Sequence, residues 1–341
     1  METTHCVHVG DARDLPLADD SVDLVVTSPP YPMIEMWDDT FAALDPAVGD
    51  ALDAGDGARA HDLMLDVLDD AWAEVARVLR PGGIAVVNVG DATRTVGRFR
   101  VYDNHARVTE AFEELGFDPL PGVLWRKPAN SAAKFMGSGM VPPNAYVTLE
   151  REHVLVFRNG PRRSFEPGAD RRYEAAYFWE ERNRWFSDVW TDLGGERQAL
   201  ADPDLRERSA AFPLELPYRL VNMYSVYGDT VLDPFWGTGT TSLAAAVAGR
   251  SSVGVERDPG FADAFAERIR EAPALSRGFV AQRLADHREF VRETDGELGY
   301  EAERYDTSVR TNQERRIRFY EVASVTETPE GWRATHEPYQ E

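Results

Sequence analysis

The chain has 341 residues, 43% hydrophobic and 11% aromatic, which is ample for one large α/β domain with an inserted or appended subdomain. Its longest apolar runs, such as IAVVNV, are of strand length, and no signal peptide or lipidation motif is present, so a soluble, cytoplasmic protein with no membrane partner is expected. A single cysteine, Cys6, excludes an intrachain disulfide, a zinc knuckle and any CxxC site.

The formal charge is −22, and only two of the 37 basic residues are lysines, Lys127 and Lys134. Such an acidic, arginine-over-lysine composition looks like that of a salt-loving archaeon. A uniform negative charge would repel phosphate, but the charge is uneven. Residues 123–172 hold nine Lys/Arg against four acids, a local +5 that can face a polyanion. The seven histidines do not group as ligands along the sequence, since His5 and His8 fall on opposite faces of an extended segment, and no metal is expected.

In chain order, strands are predicted over 7–10, 22–28, 83–90, 122–127, 153–159, 230–235 and 251–257. Helical periodicity separates several of them. Leu65, Leu68, Trp72, Val75 and Leu79 recur at three- and four-residue spacing within 61–83, and similar patterns over 105–117 and 240–250 close at glycine. Alternating strands and helices predict a doubly wound, mostly parallel sheet, in which ligands sit beyond the carboxyl ends of the strands. Residues 160–210, rich in Arg and aromatics and without a clear period, break this rhythm and read as an insertion on the core. The acidic stretch 271–341 reads as a C-terminal extension, with a β-hairpin centred on TPEG.

Two runs stand at strand ends. In DLVVTSPPYP (23–32) a buried strand halts at a turn with three prolines in four positions, which can neither donate to a sheet nor continue a helix. The second run, DPFWGTGTT (233–241), takes a strand through Asp233 into a glycine turn and a helix, and the next strand ends at Glu256, 17 residues after Gly239. Glycines there admit a ligand to backbone amides, and the acid can bind both hydroxyls of a ribose. The dinucleotide pattern GxGxxG is absent, because Ser242 fills its third position, and no pyrophosphate lysine follows, so NAD and ATP are disfavoured.

TSPPYP followed by DPFWGTGTT resembles the β-arranged DNA amino-methyltransferases, which use S-adenosylmethionine, over residues 5–260. The resemblance implies the Rossmann-like methyltransferase fold, with 1–159 as the catalytic part, 160–210 as target recognition and 211–270 as the cofactor part. It implies a catalytic tetrapeptide, Ser28, Pro29, Pro30 and Tyr31. Asp233, Pro234, Phe235, Gly237, Gly239 and Thr240 would hold the methionine end of the cofactor, Glu256 its ribose and Asp11 its adenine end. Finer segments, SPPYPMIEMWDD, NVGDATR, KFMGSGMVPPNAYVTLE and FWEERNRWFSDVW, are similar to archaeal modification methylases that make N4-methylcytosine within CTAG.

On this reading the prolines make a rigid holder for an exocyclic amine. Tyr31 would stack on a base flipped out of double-stranded DNA, while the Pro29 carbonyl accepts an amine hydrogen and Ser28 contacts the amine or ring N3. Serine at 28 goes mostly with cytosine, and aspartate or asparagine there mostly with adenine, so N6-adenine methylation is the alternative. Methyl transfer to RNA or a protein amine, and DNA binding without catalysis, are further rivals. No Pro-Cys motif serves C5 methylation, and no H-x-E with PCxxC serves deamination. Arg126, Lys127, Lys134, Arg162, Arg163, Arg171, Arg172, Arg182 and Arg184 are the candidate DNA contacts. Glu180 and Glu181 could read cytosine N4 or pair with Arg182 and Arg184. Trp179 and Trp185 are expected in a subdomain core. A monomer or homodimer is expected, with a companion restriction endonuclease as a possible partner.

Overall fold

The computed structural model describes residues 1–127, 136–194, 212–296 and 298–341. Ten strands form one sheet: β1 (Glu2–Val9), β2 (Val22–Thr27), β3 (Leu79–Val89), β4 (Phe117–Arg126), β5 (Arg151–Asn159), β6 (Val189–Trp190), β7 (Thr230–Asp233), β8 (Ser251–Glu256), β9 (Tyr320–Thr328) and β10 (Gly331–Pro338). Their spatial order is β6-β4-β5-β3-β2-β7-β8-β1-β10-β9. The pairs β1–β8, β8–β7, β7–β2 and β2–β3 are parallel, whereas β5 runs antiparallel to both β3 and β4. The doubly wound reading is therefore correct, with one reversed strand inside it and an antiparallel hairpin, β9–β10, added beside β1.

Central strand β2 is buried along its whole length, as an apolar run covered on both faces must be. Its pleat sends Leu24 and Val26 into one layer and Val25 into the other. The Val25 layer is covered by α1 (Gly57–Val78) and α2 (Asn104–Glu114), with Trp72 and Phe112 at its centre. The opposite layer is covered by α3 (Glu215–Tyr224), α4 (Thr240–Val247) and α5 (Ala272–Glu293). Pro81-Gly82-Gly83, expected to end a helix at 83, lies inside β3, because α1 stops at Val78. Gly82 adopts φ +81°, and a Cβ there would meet the Arg163 backbone at 2.7 Å.

The stretch read as an insertion is tied to the C-terminal extension. Phe178 is buried against His287, Leu284 and Phe319, and Glu181 pairs with Arg283. Trp185 is core, as expected, whereas Trp179 is exposed with Arg310 over its ring. β6 then adds a strand beside β4. The part of this stretch from 195 to 210 lies outside the described residues.

Topology also corrects the local positive charge. Because β5 is reversed, the basic run is carried to both ends of the sheet. Arg126, Lys127 and Arg151 lie at the carboxyl end of the parallel strands, and Arg158, Arg162 and Arg163 at the amino end. There Arg163 binds Asp229 with two nitrogens, at 2.6 and 2.9 Å, and reaches Asp23 at 3.0 Å; Arg171 also binds Asp229. Asp229 is fully buried, so Arg163 is committed to a structural ion cluster and not free for phosphate, while Arg171 pairs with Asp229 from a half-exposed position. Arg163→Ala is expected to destabilise the fold by about 1.5–3 kcal/mol by removing the guanidinium that bridges Asp229 and Asp23 and leaving them to Arg171 and Arg80. Urea denaturation beside DNA titration checks this, since a DNA contact would instead lower affinity at unchanged stability.

Candidate active site

The carboxyl ends of β1, β2, β7 and β8 surround a cavity of about 300 Å³. Its lining includes Asp11, the whole of Ser28–Tyr31, Asp233–Thr238, Thr240 and Glu256, so the two runs, about 200 residues apart in sequence, share one chamber. Gly239 is set back from it. With φ +73° it precedes α4, and a side chain there would run into Trp236 and Phe265.

Hydrogen bonds fix the cradle. Asp233 is 3% exposed, and its Oδ1 accepts from Thr27 Oγ1 at 2.6 Å and from the Phe235 amide at 3.1 Å. Burial pushes its carboxyl up to about 6, against the hydrogen bonds that favour the ionised form. Glu256 accepts from the Gly237 amide at 2.8 Å through Oε2 and from the Asp258 amide at 2.9 Å through Oε1, which pins the glycine turn to the next strand. Asp11 is clamped by Arg13 through both oxygens at 3.0 Å. Trp236 donates its indole N–H to Ser242 at 2.8 Å, which gives the serine in the third-glycine position a packing role.

Across the chamber, the proline corner is braced from behind. Asn104, fully buried at the start of α2, donates to the Pro32 carbonyl at 3.0 Å and the Gly90 carbonyl at 2.9 Å, and its Oδ1 bonds His61 at 2.8 Å. Met33 follows the prolines at φ +65°, a conformation that costs a non-glycine residue of order 1 kcal/mol or more. Gly90 lets the Tyr31 ring approach closely, for a Cβ there would be 3.1 Å from Cε2. The Tyr31 hydroxyl meets Ser28 Oγ at 3.0 Å, Glu152 Oε2 at 3.0 Å and Asn88 Nδ2 at 2.9 Å. Burial and the Glu152 charge raise its phenol well above the usual range. Among the described residues the Pro29 carbonyl accepts no hydrogen bond, as the proline turn predicts.

The basic candidates separate. Lys127 turns inward to Glu152 Oε1 at 2.8 Å, a partner the sequence reading missed. Arg126 stays at the mouth, where its ion pair among the described residues is with exposed Glu150 at 3.2 Å. Arg184 is engaged by Asp192, Glu215 and Asp286, Arg172 lies over Phe165, Arg182 over Phe186, and Arg162 is exposed at the far end of the sheet. Lys134 lies outside the described residues. Glu180 and Glu181 bind His287 and Arg283, not Arg182 and Arg184.

Asn88, Asn104 and Glu152 were not among the predicted site residues. Their one sequence signal is a polar side chain beside a strand end or helix start. The histidines also need correction, since His105 and His153 stack at 3.9 Å with Asp91 beside both, a grouping of ligand-type atoms that their spacing hides. The imidazole planes are 3° from parallel, so their in-plane lone pairs do not converge on one ion in this arrangement.

Comparison with known proteins follows the same lines. The fold superposes on the Thermus thermophilus protein TTHA0409 in complex with S-adenosyl-L-methionine, with a TM-score of 0.61 and 36% identity over 79% of this chain and 94% of that one. It also shares its fold with the cytosine-N4-specific PvuII DNA methyltransferase, with a TM-score of 0.52 and 19% identity over 78% of this chain and 87% of that one. These place the chain among S-adenosylmethionine-dependent methyltransferases. More particularly, residues 22–267 match the DNA methylase family of N6 and N4 amino-methyltransferases, and the chain belongs to that family. It is 51% identical to the Type II methyltransferase M.MthZI of Methanothermobacter thermautotrophicus, over 94% of this chain and 91% of that protein. It is 46% identical to the Type II methyltransferase M.MjaI of Methanocaldococcus jannaschii, over 79% and 92%. Among the described residues no helix is long and apolar enough to cross a membrane.

The cavity suits this cofactor, because a buried carboxyl with a raised titration point favours a cationic neighbour and the glycine turn exposes backbone to a ligand. Below about pH 6 Asp233 takes up a proton in the ligand-free protein and loses the charge a cationic ligand selects. Affinity for S-adenosylmethionine is therefore expected to fall as pH drops through 6, approaching about tenfold per unit, and to lose that dependence in Asp233→Asn. Calorimetry from pH 5 to 8 checks it. Asn104→Ala, which strands two buried carbonyls, is expected to lower stability by about 2–4 kcal/mol. Its denaturation midpoint and methyl-transfer rate should both fall, and an unchanged midpoint would contradict the brace.

Proposed function

We propose that this DNA methyltransferase modifies the exocyclic N4 of cytosine in duplex DNA, within the palindrome CTAG. The observation that carries the reading is the shared chamber, in which the Ser28–Tyr31 corner faces the Asp233–Thr240 turn and side-chain hydrogen bonds from Thr27 to Asp233 and from Thr241 to the Val26 carbonyl tie the two runs together. Serine at position 28 favours cytosine over adenine. The four segments similar to CTAG modification methylases support the recognition sequence.

S-adenosylmethionine, when bound, supplies an electrophilic methyl group on a sulfonium. The cytosine amine is a poor nucleophile, because its lone pair is delocalised into the ring. Asp233, Phe235 and the Gly237 turn would hold the methionine end, Glu256 the ribose, and Asp11 with Gly10 the adenine end. Ser28 Oγ and the Pro29 carbonyl both stand ready to accept amine hydrogens, and two such contacts draw the lone pair out of conjugation. Tyr31 offers its ring to a flipped base, and such stacking is worth about 1–3 kcal/mol against an extrusion cost of roughly a few kcal/mol. The base enters from the carboxyl end of the sheet, where Arg126 and Arg151 remain exposed for phosphate.

Single-molecule sequencing of plasmid DNA exposed to the protein should report N4-methylcytosine in CTAG. Nucleoside digests holding only N6-methyladenine would overturn the base assignment, and methylcytosine in another sequence would overturn CTAG alone. Ser28→Ala should slow transfer by about 10²–10³-fold with cofactor binding intact.

A further inference from the structure

Behind Ser28 runs a chain of five hydrogen bonds that the mechanism above does not use. Ser28 Oγ and the Tyr31 hydroxyl are 3.0 Å apart, Tyr31 donates to Glu152 Oε2 at 3.0 Å, Asn88 Nδ2 donates to both Tyr31 and Glu152 at 2.9 and 2.6 Å, and Lys127 Nζ donates to Glu152 Oε1 at 2.8 Å. The direction of this chain follows from its end group. A carboxylate accepts and cannot donate, so the single Tyr31 proton points at Glu152. The phenol oxygen is then left only to accept, from Asn88 and from Ser28. Ser28 must commit its own proton to Tyr31, and it presents bare lone pairs to the chamber. A hydroxyl oriented this way can accept an amine hydrogen but cannot donate to ring N3.

We infer that Glu152, acting through Tyr31, fixes Ser28 as an acceptor for the target amine and is the terminal acceptor of the proton that amine must lose. The inference rests on the reading that Ser28 faces an exocyclic amine, but not on which base carries it. As the amine nitrogen forms its bond to the methyl carbon, the carbon–sulfur bond of the methyl donor would break with its electron pair remaining on sulfur, so the positive charge passes to nitrogen and neutrality there returns only when one N–H bond breaks. That proton forms a new O–H bond on Ser28, the original Ser28 proton passes to the Tyr31 oxygen, and the Tyr31 proton passes to Glu152 Oε2. Three O–H bonds form, and one N–H and two O–H bonds break. The proton ends on Glu152 Oε2, which lies 2.6 Å from Asn88 Nδ2, beside the Oε1 held by Lys127, without entering bulk water. Both hydroxyls are neutral before and after, consistent with a Tyr31 phenol that holds its proton.

Glu152 is thus a positioning residue, and the test separates this role from mere packing. Glu152→Gln keeps the size but can donate as well as accept, so the chain loses its imposed direction and its proton acceptor. Single-turnover methyl transfer to duplex DNA, at saturating S-adenosylmethionine, is expected to fall by about 10²–10³-fold. Cofactor and DNA dissociation constants should stay within about threefold, and Glu152→Asp should recover at least about tenfold of the rate. Tyr31→Phe cuts the chain without disturbing a charge, and the double variant should be no slower than the slower single one within about threefold, as links in one chain require. A Glu152→Gln rate within about threefold of wild type would overturn the inference. So would parallel losses of rate, cofactor affinity and thermal midpoint that Glu152→Asp fails to relieve. Mass spectrometry of nucleosides from the wild-type reaction reads the base separately: N6-methyladenine would defeat the cytosine assignment and leave the rate comparison to decide the role of Glu152.

Discussion

The structure turns on the hydrogen bond from Thr27 to Asp233. It is made between the last residues of two adjacent parallel strands, in a region nearly closed to water, where a bond to a carboxyl group contributes about 1.5–3 kcal/mol. Its larger consequence is geometric. Thr27 leads directly into the proline corner and Asp233 directly into the glycine turn, so this contact sets the distance between the corner proposed to hold an amine and the turn proposed to hold the cofactor. Neither run could be displaced without leaving Asp233 buried beside Glu256 and short of a donor.

From that contact rigidity spreads in both directions. The prolines remove backbone freedom on one side, and Asn104 ties the following carbonyls to α2. On the other side Glu256 gathers the amides of Gly237 and Asp258. The strained backbone at Met33 is tolerated because its surroundings, a core of Phe41, Val48 and Met64, over-determine it. Such preorganisation suits methyl transfer, where little covalent chemistry is asked of the protein and alignment supplies much of the rate.

The distribution of charge follows topology rather than sequence order. A basic run that reads as one footprint straddles a reversed strand, and its two halves emerge on opposite ends of the sheet. One half, Arg126, Lys127 and Arg151, lies at the mouth of the chamber. In the other, Arg163 neutralises buried Asp23 and Asp229, and arginine suits that task because one guanidinium can bridge two carboxylates.

The sequence by itself determined the strand–helix alternation, the placement of both motifs at strand ends, and the rigid corner with its free carbonyl. These are local properties, set by hydrophobic period, by proline's fixed φ and missing donor, and by glycine at a tight turn. The family and its cofactor were legible for the same reason, since each motif is contiguous. The tertiary structure alone decided which distant polar side chains meet. Glu152 comes to Tyr31 only because β5 is reversed and delivers its first residues to the carboxyl end of the sheet, and Asn88, Asn104 and Lys127 reach the corner from three other elements. The same reversal sent Arg163 away from the mouth. No spacing in the chain encodes a meeting that depends on strand order, because that order is settled by how two apolar faces are buried at once.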